Sequence, residues 1–541
     1  MRKFWQLGLL IATAGLVACS TTPSTRPIAW AAPEVLVAPS SFHGVHGLAV
    51  DGKGRLLAGT VLGSSMWEVD RTTGAAKVFI AAPEGEADDI AIGPKGEMAW
   101  TSYLQGIIRY RENDAAPIRI LAKDLAGINS LAFDQKSGKL YASQVFLGDA
   151  MHEIDVAGTK PPRLIAKDMG GFNGFEVGSD GMLYGPLWFK KQLVKMNPAD
   201  GSITVINSDF KTPAAANLDG KGNLWAVDTF TGELSKVELA TGRKTVMKQL
   251  KPALDNLAIA PDGMIYVSNM ADNSVQSYNP ANGDTKLLTG GKLSVPGGIK
   301  LDGDTLWVAD LFAFREVNVK SGDVKDVFRM QASDMEYPFA VGVSAKHFAL
   351  SSWFTGSVQI VDKATRKTVT MIHGLKAPTD ALFLDDGSVV FIEIATGDMT
   401  RASGADFKER KVIAKGLAGP VQMILGKDGA LYVTEAAGNL TRVNMADGAK
   451  TVVADKLALP EGVAQTPWGT FIVAEAAARR LVEINTDGSR STIAENLPIG
   501  LEAGPGLPPP NVPTGVAVGA DGVIYISADR NNAIYKIKPM R

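Results

Sequence analysis

The chain repeats one unit of forty-odd residues along its length, and this repeat limits the available folds more than any other feature. Clear copies begin at His46, Asp255 and Thr514, and the second reads DNLAIAPDGMIYVSNMADNSVQSYNPANGDTKLL. Each copy holds short apolar runs separated by turns such as Asp262-Gly263, where a hairpin needs a positive φ. Each unit therefore predicts four short antiparallel strands.

Twelve such units follow one another. Their first strands are expected near residues 48, 90, 131, 175, 216, 257, 299, 341, 381, 423, 463 and 516. One small sheet cannot bury both of its faces, so the units are predicted to stack radially as the blades of β-propellers. Because a propeller usually has about four to eight blades, the sequence predicts an all-β chain with two tandem six-bladed propellers. A division into seven and five blades is the alternative.

The ends of the repeat region predict how the chain is divided and closed. The first propeller is predicted over 34–290 and the second over 291–541, with the seam near Gly290-Gly291. The last unit stops after its third strand, at 533–537, whereas a spare strand at 34–38 precedes the first complete unit. Unpaired sheet edges invite aggregation, so strand 34–38 is predicted to close the last blade of the second propeller.

The N-terminus has the pattern of an export signal. Arg2 and Lys3 precede an apolar stretch that is too short to span a bilayer and that ends in Leu16-Val17-Ala18-Cys19. This pattern resembles the lipobox of bacterial lipoproteins. The resemblance implies a signal peptide over 1–19 ending at a lipidated Cys19, a tether over 20–33, and export to the cell envelope. Ser20 after the cysteine favours the outer membrane, on its periplasmic or surface face. An ordinary signal peptide with a chance cysteine is the alternative.

Composition excludes several classes of function. The net charge of −2 offers no field for nucleic acid, and the lipid is the only membrane attachment expected. Cys19 is the only cysteine, so its lipidation excludes disulfides, cysteine metal sites and a thiol nucleophile. The sequence also lacks the Gly-x-Ser-x-Gly elbow of serine hydrolases and a glycine loop that cradles phosphate.

One position in each unit, at the start of the first strand, is expected to face the mouth of the propeller channel. In the first propeller these ring residues are His46, Asp88, Asn129, Asn173, Ala214 and Asp255. In the second they are Gly297, Phe339, Thr379, Val421, Glu461 and Thr514. Calcium accepts carboxylate and amide oxygens, so the first ring predicts a divalent cation, with calcium favoured. The predicted metal ligands are Asp88, Asn129, Asn173 and Asp255.

The units also resemble a known group of propellers. Their x-Gly-hydrophobic-Ala starts and their IYVSN or WVAD second strands look like the NHL-repeat and SMP-30/gluconolactonase group, over nearly the whole chain. In that group acidic and Asn residues hold a channel calcium that polarises a lactone carbonyl. The resemblance matches Asn173 to the group's Asn-Gly motif, and Asn129 and Asp255 to its other channel Asn and its Asp. His46 stands where the group has a Glu, and Ala214 where its Asp is expected.

These observations predict a metal-dependent hydrolase of lactones or esters, with its site on the first propeller and the second propeller as scaffold. Asp255 or Asp88 is expected to activate water, and His46 to relay a proton near neutral pH. The alternative is a non-catalytic lipoprotein whose propellers bind an envelope protein, a glycan or a small molecule. Stabilisation of the fold by a bound metal ion would distinguish the hydrolase from the non-catalytic lipoprotein.

Three further features of the sequence lead to predictions. One set of polar residues follows the second strands and is expected to cap loops: Asp228, Asn269, Asp310, Glu393, Glu435, Glu475 and Asp529. Trp188 and Phe189 are candidates for the channel mouth, where they would stack on a ring-shaped ligand. The insertion at 500–510 is either a lid, a contact surface or an ordered surface excursion.

Overall fold

The computed structural model describes residues 26–504, 507 and 509–540, and every regular element in these ranges is a β-strand. The strands form twelve four-stranded antiparallel sheets and one short two-stranded sheet. Inner strands of successive sheets pack side by side, and each set of six closes on itself. The prediction of two tandem six-bladed propellers is therefore confirmed. Cys19 and the predicted signal peptide lie outside the described residues.

Blades 1 to 6 form the first propeller. From the channel outward, their strands are Val45–Val50, Leu56–Thr60, Met66–Val69 and Ala76–Ile80 in blade 1; Ile90–Ile92, Met98–Ser102, Ile107–Arg111 and Arg119–Ala122 in blade 2; Ile128–Phe133, Leu140–Gln144, Ala150–Ile154 and Arg163–Lys167 in blade 3; Glu176–Val177, Leu183–Leu187, Gln192–Met196 and Ile203–Asn207 in blade 4; Pro213–Leu218, Asn223–Asp228, Glu233–Glu238 and Lys244–Gln249 in blade 5; and Leu254–Ile259, Ile265–Asn269, Ser274–Tyr278 and Thr285–Thr289 in blade 6.

Blades 7 to 12 form the second propeller. Their strands are Pro296–Asp302, Thr305–Asp310, Ala313–Asn318 and Val324–Arg329 in blade 7; Ala340–Val343, His347–Ser352, Ser357–Asp362 and Thr368–Ile372 in blade 8; Pro378–Phe383, Val389–Glu393, Asp398–Ser403 and Glu409–Ala414 in blade 9; Pro420–Leu425, Leu431–Glu435, Asn439–Val443 and Lys450–Ala454 in blade 10; Pro460–Gln465, Phe471–Glu475, Arg480–Ile484 and Arg490–Ala494 in blade 11; and Val516–Val518, Ile524–Ala528, Ala533–Ile537 and Glu34–Val37 in blade 12.

The N-terminal strand closes the last blade. Glu34–Val37 pairs antiparallel with Ala533–Ile537, as the spare strand in the sequence predicts. A shorter pair, Ala29–Trp30 with Pro539–Met540, lies beside this closure. The chain therefore starts in the second propeller, builds the first, and returns to complete the second.

Burial follows the position of a strand within its blade. Second strands are almost wholly buried because neighbouring blades cover both of their faces. Fourth strands such as Lys244–Gln249 form the outer rim, where Thr245, Val246 and Gln249 are exposed and the two lysines are half-buried. Lysines on such an edge strand disfavour pairing with another chain. Apolar side chains of adjacent blades form shared core clusters, so each blade depends on its neighbours for burial.

Buried arginines join the two propellers. Arg315 of blade 7 is 2% exposed; it contacts Asp310 at 3.0 Å and donates to the backbone carbonyl of Ala271 beside blade 6. Arg329 reaches Asp272 at 2.9 Å and the amide oxygen of Asn269 at 3.1 Å, both belonging to the first propeller. Each guanidinium bonds to several separate acceptors, which fixes its orientation as well as its distance from the neighbouring propeller.

The described ranges contain no helix with the length and apolar character that crossing a bilayer requires.

Candidate metal and substrate site

Bulges in the innermost strands position the ring residues of the first propeller. The pairing register shifts between Val45 and Leu48 in blade 1, and between Leu254 and Leu257 in blade 6. A bulge adds a residue that the partner strand does not match, and it redirects the side chains at that point. The bulged segments contain His46 and Asp255 respectively, so a backbone irregularity brings both side chains to the channel mouth.

Three ring residues meet at this mouth. The Nδ1 atom of His46 lies 3.2 Å from Oδ1 of Asp88 and 3.2 Å from Oδ2 of Asp255. Within the described residues this is the one group of three His, Asp, Glu or Cys side chains whose ligand atoms could hold a metal ion. The structure therefore brings together residues that are far apart in sequence, as predicted for the first ring. It also places His46 among the donors, whereas the sequence predicts only a proton relay for it.

The two predicted amide ligands lie next to this group and make other contacts. Asn129 donates from Nδ2 to Oδ2 of Asp88, which fixes the orientation of that carboxylate. The hydroxyl of Ser130 lies 2.8 Å from Oδ1 of Asn129 and 2.9 Å from Oδ1 of Asn173, and its single proton can be donated to one of them at a time. Metal ligation through Asn129 and Asn173 stays a prediction.

Charge and burial have opposite effects on the pKa of His46 in the triad. Burial opposes protonation of the imidazole, but the charges of Asp255 and Asp88 outweigh it and raise the pKa of His46 to about 10. Burial also raises the pKa of Asp88, although His46 and Asn129 partly offset this by stabilising the carboxylate. A histidine that is held protonated between two carboxylates occupies the place where a cation is favoured.

The triad forms the floor of a cavity between the two propellers. The cavity has a volume of about 290 Å³ and includes His46, Asp88, Asn129, Asn173 and Asp255 of the first ring. Ala214, the remaining ring residue, packs instead in the apolar core between blades. Trp188 also lines the cavity, in agreement with its predicted place at the channel mouth.

The far wall of the cavity belongs to the second propeller. Phe312 packs edge-on against His46 with ring centres 5.6 Å apart, and Tyr337, Phe339, Trp353 and Phe354 continue the wall. The sequence predicts a scaffold role for the second propeller, and the structure adds that its side chains complete the cavity. The tandem repeat could not reveal this, since it does not specify which faces of the two propellers meet.

Glycine makes the close approach of Phe312 feasible. Gly44 has φ +68°, and a Cβ atom there would lie 2.1 Å from the Phe312 ring. The amide of Gly44 donates to Oδ1 of Asn273 at 3.0 Å, which holds the segment before His46 in place. Gly44, in the segment Phe42-His43-Gly44-Val45-His46, is the feature of the sequence that could have indicated a close contact here. His43, three residues before His46, is buried away from the triad, and burial lowers its pKa to about 4.

The polar residues that follow the second strands cap loops, as expected. Asp228 accepts from the backbone amides of Lys211 and Thr212, and Asp529 accepts from those of Gly500 and Leu501. The remaining members make similar contacts with backbone amides: Asn269, Asp310, Glu393, Glu435 and Glu475. These residues hold the loops that surround the channel mouths and do not line the cavity.

The insertion of the last repeat packs against the cavity wall from behind. Nε1 of Trp353 donates to the carbonyl of Asn511 at 2.8 Å, and Leu501 packs against the apolar cluster beneath the wall. Leu501 thus gives the insertion a contact with this apolar cluster, and Asn511, which directly follows the insertion, holds the indole of Trp353.

The second ring forms no comparable cluster within residues 26–504, 507 and 509–540. Its carboxylate, Glu461, accepts a hydrogen bond from the amide of Thr514 at 2.6 Å, and burial raises its pKa well above the usual range. Thr379 donates to the carbonyl of Pro420 at 2.9 Å. Phe339 faces the cavity of the first propeller, and Gly297 and Val421 have no side-chain donor atoms.

No protein-family model matches the sequence, and the comparison with curated proteins also finds no match. Among solved structures, a streptogramin B lyase is 15% identical, with a TM-score of 0.26, over 60% of this chain and 93% of that one. Virginiamycin B lyase from Staphylococcus aureus is 15% identical, with a TM-score of 0.27, over 60% of this chain and 94% of that one. Likeness at this level carries no argument about the site or its activity. Membership of the SMP-30/gluconolactonase group stays a prediction.

Proposed function

We propose that this protein is a metal-dependent hydrolase of lactones or related esters, acting at the floor of the inter-propeller cavity. The observation that carries the proposal is the convergence of His46, Asp88 and Asp255 on one point that opens into a concave, mainly apolar cavity. Clustered titratable groups with perturbed pKa values in such a cavity are typical of active sites.

The spacing of the three donor atoms fits a bound cation. Metal bonds of about 2.0–2.2 Å to nitrogen and oxygen place neighbouring ligand atoms roughly 3 Å apart. His46 Nδ1 lies at 3.2 Å from each carboxylate oxygen, which matches this spacing. The donor set, two carboxylates and an imidazole, suits zinc, manganese or iron as well as or better than the predicted calcium, which prefers oxygen ligands alone. The cation would polarise the scissile carbonyl and stabilise the developing oxyanion.

The protein's own side chains supply the remaining functions. Asn129 keeps Asp88 oriented by donating to one of its oxygens, the usual role of a second layer around a metal ligand. Asp255 is the more exposed of the two carboxylates, at 17% against 7%, and we assign it to accept the proton of the attacking water. The cavity wall from the second propeller covers the triad, so that His46 keeps 13% and Asp255 17% of its side-chain surface exposed.

Metal removal tests this function. The protein should hydrolyse members of a lactone and ester panel, lose activity on treatment with EDTA, and regain it with one of manganese, zinc or calcium. Asp255→Asn should lower turnover by about 100-fold or more, since one oriented catalytic group contributes that much. Glu461→Gln, the matched change in the second ring, should leave turnover unchanged. Turnover that survives EDTA, or no turnover on any panel member, would refute the proposal, and the latter would favour the non-catalytic alternative.

We further propose that the protein is an exported lipoprotein held at the outer membrane through Cys19, and that its partner at the site is a small molecule. The lipobox-like Leu16-Val17-Ala18-Cys19 supports the anchor. Wild-type protein should incorporate labelled fatty acid and fractionate with outer membranes, whereas Cys19→Ala should remain unlabelled. Labelling of Cys19→Ala, or its absence from the wild type, would contradict the anchor.

A further inference from the structure

The cavity has a small polar floor and a large apolar wall. The floor is the triad, whereas aromatic and aliphatic side chains from both propellers form most of the remaining surface. Leu62, Leu104 and Trp188 come from the first propeller, and Phe312, Trp353 and Phe354 come from the second. Ligand cavities with this composition bind through apolar contact and use a few polar groups to orient the ligand.

Aromatic contacts make the second-propeller wall continuous. Phe312 lies between His46 and Tyr337, with ring centres 5.6 Å and 6.1 Å away. Tyr337 packs edge-on against Phe354 at 5.2 Å, and Trp353 packs against Phe339 at 4.9 Å. Rings held by such edge contacts form a shaped wall, so an apolar ligand meets a surface that is already ordered.

The charges around the cavity restrict its ligand further. Among the described residues, the lining includes two carboxylates and one imidazole but no lysine or arginine. A carboxylate or phosphate ligand would therefore approach Asp88 and Asp255, while the imidazole of His46 is already paired with both of them. A polyhydroxylated ligand would lose many hydrogen bonds to water, and the apolar wall could not replace them.

We infer that the cavity binds an uncharged, apolar carbonyl compound, an ester or lactone with an alkyl or aryl substituent, whose apolar part lies against Phe312, Trp353 and Phe354. The carbonyl end faces the triad. Assignment of the carbonyl as the reacting group rests on the proposed function, whereas the apolar character of the ligand rests on the cavity alone.

Two lactones with the same ring size test this inference. Delta-decanolactone carries an alkyl chain, whereas glucono-delta-lactone carries hydroxyl groups. Both are titrated calorimetrically into metal-free wild-type protein, where the proposed hydrolysis does not interfere. Delta-decanolactone should bind at least tenfold more tightly, and equal or reversed affinities would overturn the inference even if metal-dependent turnover were found.

A matched pair of variants locates the binding. Phe354 is 38% exposed and lines the cavity, whereas Phe230 is 45% exposed and lies outside it. Phe354→Ala should weaken delta-decanolactone binding about fivefold or more, and Phe230→Ala should leave it unchanged. Equal effects of the two changes would place the lactone elsewhere and refute the inference. Tight binding in the cavity without turnover in any metal would uphold the inference and remove the hydrolase function.

Discussion

The two propellers share one repeat and one backbone device, but their channel mouths differ. In both, bulges interrupt the innermost strands at the ring positions, as in blades 1 and 6 and in blades 9 and 11. In the first propeller these bulges present His46 and Asp255 to a cavity. In the second, Thr379 and Glu461 bond to the backbone of neighbouring blades.

This difference shows that the fold places equivalent residues at both channel mouths, and that the chemistry of each side chain determines which contacts it makes there. A polar side chain in the second ring finds a backbone partner, so it stabilises the junction between blades. The acidic side chains of the first ring face one another and an imidazole, an arrangement that costs free energy unless a proton or a cation is shared. The second propeller also covers the first mouth and completes a cavity there, whereas Thr379 and Glu461 of the second ring are bonded to backbone.

The largest effect is expected where the propellers are joined. Arg315→Ala removes the bond to Ala271 and leaves buried Asp310 without its cationic partner, and it should lower the free energy of unfolding by about 3–5 kcal/mol. Arg401 pairs with Asp386 at the surface, so Arg401→Ala should cost about 1 kcal/mol or less. Urea unfolding of both variants measures this. Similar losses would mean that the propeller junction is no stronger than a surface pair.

Stabilisation by a bound cation should depend on the first ring and not on the second. At a cation concentration about one hundred times its Kd, binding should stabilise the wild type by about 2.7 kcal/mol. Asp88→Asn should remove most of this gain, because it takes away one of the two carboxylate charges of the triad, whereas Glu461→Gln should retain it. Thermal melting with and without the cation gives the answer. A loss of the gain in Glu461→Gln would place the cation in the second channel.

Asn129 sharpens the comparison because its side chain contacts Asp88 of the triad. Asn129→Ala removes the hydrogen bond that orients Asp88 and should weaken metal binding by about 10–100-fold. Asn217, a polar residue toward the other end of the channel, provides the control, and Asn217→Ala should change metal affinity little. Calorimetry with the chosen cation measures both. A complete loss in Asn129→Ala would instead support direct ligation by its amide oxygen.

The smallest effect concerns pH. The carboxylates raise the pKa of His46 to about 10, so metal-free protein keeps this imidazole protonated at neutral pH. A cation must displace that proton, and its affinity should rise about tenfold per pH unit between pH 6 and 8. The stabilisation that the protonated imidazole gives to the metal-free fold is full below pH 6.5 and declines as pH rises toward 10. Calorimetry in buffers of different ionisation enthalpy would count the proton, and a pH-independent affinity would exclude His46 as a ligand.

The repeat predicts much of the fold because each unit carries the sequence pattern of its own four strands and turns. The Asp-Gly turns, the recurring apolar runs and the spare strand at 34–38 predict twelve blades and the pairing of Glu34–Val37 with the last blade. The ring residues were also predictable, since a radial stack places equivalent positions of successive units around one axis.

The site as a whole was less predictable, for two physical reasons. The bulges that turn His46 and Asp255 toward Asp88 depend on strand register, which the sequence pattern does not specify at single-residue precision. The aromatic wall depends on the docking of one propeller onto the other, through residues such as Arg315 and Arg329 that look like ordinary strand residues in the sequence.

The most direct measurement is the anomalous diffraction of crystals of this protein grown or soaked with manganese or zinc. One strong peak is expected at the mouth of the first channel, about 2.0–2.4 Å from Nδ1 of His46 and from a carboxylate oxygen of both Asp88 and Asp255. A map with no peak there, or with the cation bound elsewhere, would contradict the claim that these three side chains form a metal site.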